Sequence, residues 1–86
     1  MYKNHDVTAL LDLFLDWYRK HDNEAPITTD YVLWFASEML NVTDISGSTV
    51  LGRLKKKADL GCLSMTKSHA VHFEYEFYPV PNIICA

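Results

Sequence analysis

The feature that most constrains this chain is a change of hydrophobic period at Gly61. Before it, apolar residues recur every three or four positions; after it they alternate, with Val71, Phe73, Tyr75 and Phe77 set against His72, Glu74, Glu76 and Tyr78. The first period buries a stripe of a helix and the second buries one face of a strand. Helices therefore come first and a hairpin follows. In a chain of 86 residues the two parts have to share a core, because a domain this small buries only about 60% of the surface its unfolded chain exposes. The expectation is one α+β domain over residues 1–86.

Three helical segments are expected, over about 6–21, 28–41 and 46–60. In the first, Asp6 is a good N-cap and Val7, Leu10, Leu11, Phe14, Trp17 and Tyr18 form one apolar stripe. Asp12, Asp16, Arg19 and Lys20 fall on the solvated side. Leu13 and Leu15 lie off the stripe, either as isolated surface leucines or as a second apolar face for dimerisation; the former is the ordinary case. Asp22 to Ile27 reads as a polar linker closed by Pro26, after which Thr28 or Thr29 caps the second helix. That helix is apolar nearly all round, with Tyr31, Val32, Leu33, Trp34, Phe35, Ala36, Met39 and Leu40, and so needs cover on several sides. Tyr31 and Trp34 are read as core rather than as platforms for stacked bases.

The third helix follows a short turn, with Ser46 or Ser48 as cap and Gly61 at the left-handed position past its end. Val50, Leu51, Leu54, Ala58 and Leu60 are its expected buried side. Ser48, Thr49, Gly52, Arg53 and Lys56 share the opposite face, which holds hydroxyls and cations and no acid. Gly52 in mid-helix costs about 1 kcal/mol relative to Ala, and points either to a close approach by a nucleic-acid backbone or to tight contact with another helix. The hairpin is expected over about 62–78, with a turn near Lys67 and His69, Cys62 as a small apolar residue beneath it, and Pro79 and Pro81 ending the second strand. The apolar tail 79–86 is expected to fold back on the body or on a partner.

The formal net charge of −3 conceals a division. In residues 1–45 only Lys3, Arg19 and Lys20 oppose a series of acids from Asp6 to Asp44, whereas four of the eight Lys and Arg lie in the third helix. An anionic partner would approach the second half. Two cysteines, Cys62 and Cys85, are too few for a disulfide scaffold, the first residues carry no apolar signal core, and no apolar run reaches the ~18 residues a membrane span needs. The expectation is a soluble cytoplasmic protein. No nucleophile stands beside a base at a recognisable spacing, so no enzyme is expected. A zinc site from Cys62, His69, His72 and Cys85 lacks the usual ligand spacing, and neither metal nor cofactor is expected.

An apolar helix, a brief turn, Ser48-Thr49-Val50 leading to Leu54, and Leu60-Gly61-Cys62-Leu63 at the entry to the hairpin make a pattern over roughly 27–78. It resembles the winged helix-turn-helix superfamily, in particular small prokaryotic and bacteriophage transcription regulators. The resemblance implies that the third helix enters the major groove of double-stranded DNA and that the hairpin, the wing, tracks neighbouring phosphates. Ser48, Thr49, Gly52, Arg53 and Lys56 then form the groove face, Lys55 and Lys57 add charge, and Lys67 and His69 are the wing's phosphate contacts. Ser48 and Thr49 would donate to phosphate near the helix N-terminus, and Arg53 would fork onto a guanine. A homodimer through the first helix or the tail is part of this expectation. The alternative is a winged-helix adaptor or inhibitor that docks on another protein, favoured by the acidic first half and by Leu13, Leu15, Ile83 and Ile84.

Overall fold

A computed structural model describes residues 7–21, 24–67 and 74–80. Asp6, His69, His72, Cys85 and the tail beyond Val80 lie outside them, so the cap, wing-tip and tail expectations fall there. Helices α1 (Val7–His21), α2 (Thr29–Leu40) and α3 (Gly47–Asp59) precede an antiparallel hairpin of β1 (Leu63–Lys67) and β2 (Tyr75–Pro79). This is an α+β arrangement.

Local chemistry sets the helix ends. Thr28 accepts the amide of Tyr31 at 3.1 Å and Ser46 accepts that of Thr49 at 3.2 Å, so each hydroxyl satisfies an orphan donor of a first turn. Asn41 closes α2 in the left-handed conformation, φ 56°, which asparagine tolerates. After α3, Gly61 takes φ 83°, its amide bonds Ala58 O, and the Cys62 amide bonds Lys57 O. These are the two hydrogen bonds of a Schellman motif.

α1 packs against both α2 and α3. Its buried face is therefore wider than a single stripe, and Leu15, one turn beyond Leu11, is buried at 4% exposure, contrary to the reading of it as surface. Leu13 stays exposed. Phe14 is the hub of an aromatic layer, meeting Tyr31 at 5.1 Å and Phe35 at 5.3 Å in edge-to-face geometry. α2 is covered less than expected. Trp34 rests on Trp17 at 5.9 Å yet remains 46% exposed, and Met39 is exposed as well.

The hairpin register places Leu63 opposite Pro79, Met65 opposite Phe77 and Lys67 opposite Tyr75. Pro79 is the last strand residue rather than a terminator beyond it, an end position where its missing N–H breaks no ladder. Leu63 and Phe77 turn into the core. On the other edge of β2, Ile27 and Phe77 exchange both backbone hydrogen bonds, at 2.9 and 2.8 Å. Part of the expected linker therefore acts as a third strand position, held also by the Tyr18 hydroxyl, which donates to the Ala25 carbonyl. Cys62 is buried, as expected, and is also disulfide-bonded, with its partner outside the described residues. Disulfides persist mainly in oxidising compartments, which counts against the expected cytoplasmic placement.

Candidate functional site

The four cations of α3 have four different environments. Lys56 is exposed, and with Ser48 and Gly52 it makes a solvent-facing line at intervals of one turn. Lys55 lies on the hairpin side, its ammonium 4.8 Å from the centre of the Tyr75 ring. This cation–π contact ties helix to hairpin. Lys57 is buried on the α1 side, its Nζ 2.6 Å from Asp12 Oδ1. Asp12 stays on the solvated side, as expected, while the added surface charge expected of Lys57 is replaced by this ion pair. Arg53 is half-buried, and its Nε is enclosed without a hydrogen-bond partner among the described residues.

Arg53, Lys56 and Lys57 line a cavity of about 170 Å³ between α1 and α3, together with Thr8, Leu11, Asp12 and Leu60. Leu60 was expected in the core but is 69% exposed. It lies seven residues from Arg53 and four from Lys56, on their side of the helix rather than on the Val50–Leu54 side.

At the start of α3 the hydroxyls form a local network. Ser46 Oγ is 3.2 Å from Ser48 Oγ and 2.8 Å from Thr49 Oγ1. Gly47 lets this end approach α2, since a Cβ there would meet Thr29 Cγ2 at 3.3 Å. Gly52 differs: a Cβ on it would have nothing within 4 Å among the described residues. Tight contact with another helix of this chain therefore does not explain Gly52. A second cleft, lined by Thr29, Asp30, Gly47, Ser48, Leu51, Glu74 and Tyr75, brings two carboxylates to the hairpin side of this helix end. An anion approaching Ser48 from there meets like charge.

Lys67 is exposed at the end of β1. On the neighbouring strand the Tyr78 hydroxyl donates to Glu76 Oε1 at 3.0 Å, and that hydrogen bond, with desolvation and the carboxylate charge, holds the phenol above its usual pKa. His69 lies outside the described residues. Sequence reasoning brought Ser48, Gly52 and Lys56 to one face but missed Thr8, Leu11 and Asp12 across from Arg53, as well as Asp30 and Glu74. Spacing carries no signal for these, because each meets α3 only through tertiary packing.

Among the described residues, no three His, Cys, Asp or Glu side chains are grouped to hold a metal ion, and no helix is long and apolar enough to cross a membrane. No family model, curated protein or solved structure matches the chain.

Proposed function

We propose that this protein is a small winged-helix DNA-binding domain of the transcription-regulator type, with α3 as the groove helix and the β1–β2 hairpin as the wing. The observation that carries the reading is the exposed line Ser48, Gly52 and Lys56, which meets an acid only at its far end, at Asp59, and is open above Gly52 among the described residues. A duplex backbone can approach where no side chain projects. In this arrangement Lys56 and Lys67 neutralise phosphates, while Lys55, set over Tyr75, fixes the angle between helix and wing. Arg53 sits at the margin, half-buried with its Nε enclosed, so any guanine contact uses the terminal nitrogens of its fork.

The test is fluorescence anisotropy of a labelled mixed-sequence duplex titrated with protein at low and moderate salt. Salt-sensitive binding at micromolar protein is expected, and Lys56→Ala should weaken it and reduce the slope of log affinity against log salt by about 1. No salt-sensitive binding at that concentration would refute the proposal.

A second reading is a protein-docking module, a small adaptor or inhibitor, favoured by the exposure of Leu13, Trp34 and Met39 and by the acids Asp30 and Glu74 beside α3. On that reading, duplex binding is absent and Trp34→Ala removes partner capture while Lys56→Ala leaves it intact.

A further inference from the structure

We infer that the cleft between α1 and α3 is a binding site for a small organic carboxylate with a compact apolar body. This does not rest on the DNA-binding reading.

Three cations, Arg53, Lys56 and Lys57, and one carboxylate, Asp12, line the cleft. Lys57 and Asp12 neutralise each other at 2.6 Å, which leaves Arg53 and Lys56 uncompensated beside it. Arg53 supplies the most specific signal. Its Nε–H is enclosed yet has no acceptor among the described residues, and buried donors are ordinarily satisfied. The enclosed Nε leaves the terminal N–H groups of the Arg53 fork as the donors a carboxylate entering the cleft can reach, and the Lys56 ammonium can hold the second oxygen as a point charge.

The remaining lining selects against a bare anion. Leu11 is fully buried at the floor, and Leu60, 69% exposed, stands at the mouth. Apolar surface on both sides of a cationic group favours a ligand that pairs a carboxylate with a hydrocarbon face. At about 170 Å³ the cleft is close in size to cavities of roughly 150 Å³ that hold benzene. A benzoate-sized molecule fits this volume. Leu60 then covers the ring, which accounts for a large apolar side chain placed over a charged cleft.

The test uses the full chain, no DNA and benzoate as probe, with amide and Arg53 side-chain NMR shifts read at constant ionic strength. Benzoate should produce saturable shifts at Thr8, Asp12, Arg53 and Leu60 with Kd on the order of 1 mM. Arg53→Met keeps the aliphatic stem and should weaken binding about tenfold or more; Leu60→Ala, at the open mouth, should weaken it about threefold. The variants' spectra away from the cleft report that the fold is kept. Benzamide, which keeps the ring without the charge, and inorganic phosphate, which keeps charge without the ring, should give no saturable shift at these residues. The inference is overturned by lack of saturation with benzoate, by an equal response to phosphate or benzamide, or by unchanged benzoate affinity in Arg53→Met.

Discussion

Lys57 illustrates how little a residue's type says about its role here. Four cations in five positions of α3 look interchangeable in sequence, yet Lys57 pairs with an acid on α1, Lys55 lies over a ring, Arg53 is half-buried with its Nε enclosed, and Lys56 is exposed. The difference at Lys57 is made by Asp12, 45 residues away, a separation at which no local pattern operates. The Lys57 side chain is 10% exposed and the Asp12 side chain 54%. Solvent on the acid moderates the attraction, so the main effect of cutting the pair is to leave an ammonium buried alone. Asp12→Ala should lower stability by about 1–2 kcal/mol, less than the loss expected when a fully buried pair is broken. Equilibrium urea unfolding measures this. Lys57→Met, which leaves only a partly exposed carboxylate, should be close to neutral; if the two substitutions were equally costly, the buried-charge account would fail.

At the scale of the element, α3 is the part most legible in sequence and also the most exposed to a sharp test. Ser46 and Gly61 act locally, through one hydroxyl and one left-handed residue, and both ends of the helix were readable for that reason. The glycine between them is a weak point with open space above it. Gly52→Ala should stabilise the protein by about 1 kcal/mol, since alanine restores helix propensity and meets no neighbour. If a duplex backbone packs on that line, the same methyl should weaken DNA binding at least about fivefold. Thermal unfolding and anisotropy titration of this variant separate the two effects. Stabilisation with unchanged duplex affinity would remove Gly52 from the interface. What the sequence did not disclose follows a common rule: Ile27 as a strand neighbour, Leu15 in the core and Leu60 outside it are each decided by which element packs alongside. Periodicity reports the face a residue shares with its own helix or strand, not the number of neighbours that cover that face.

For the whole molecule, the question is whether helices and hairpin form one cooperative unit. Phe77 is where they join. It is fully buried, pairs with Met65 across the hairpin, and exchanges both backbone hydrogen bonds with Ile27 ahead of α2. An isolated two-stranded hairpin is at best marginal in water, and three helices in so short a chain have little core to spare. Each part therefore depends on the other through this residue. Phe77→Ala should cost about 3–5 kcal/mol, as for a buried phenylalanine replaced by a cavity, and that is a large share of the ~5–15 kcal/mol available to a native domain. Trp17 and Trp34 report on α1 and α2 by fluorescence, and far-UV circular dichroism reports on all helices. Both signals should move together in a single transition shifted to lower denaturant, because the helical core lacks the apolar surface to persist once β2 is lost. A variant whose tryptophan environment melts at the wild-type midpoint while only strand signal is lost would show instead that the hairpin is an appendage, with α3 held by the helices alone.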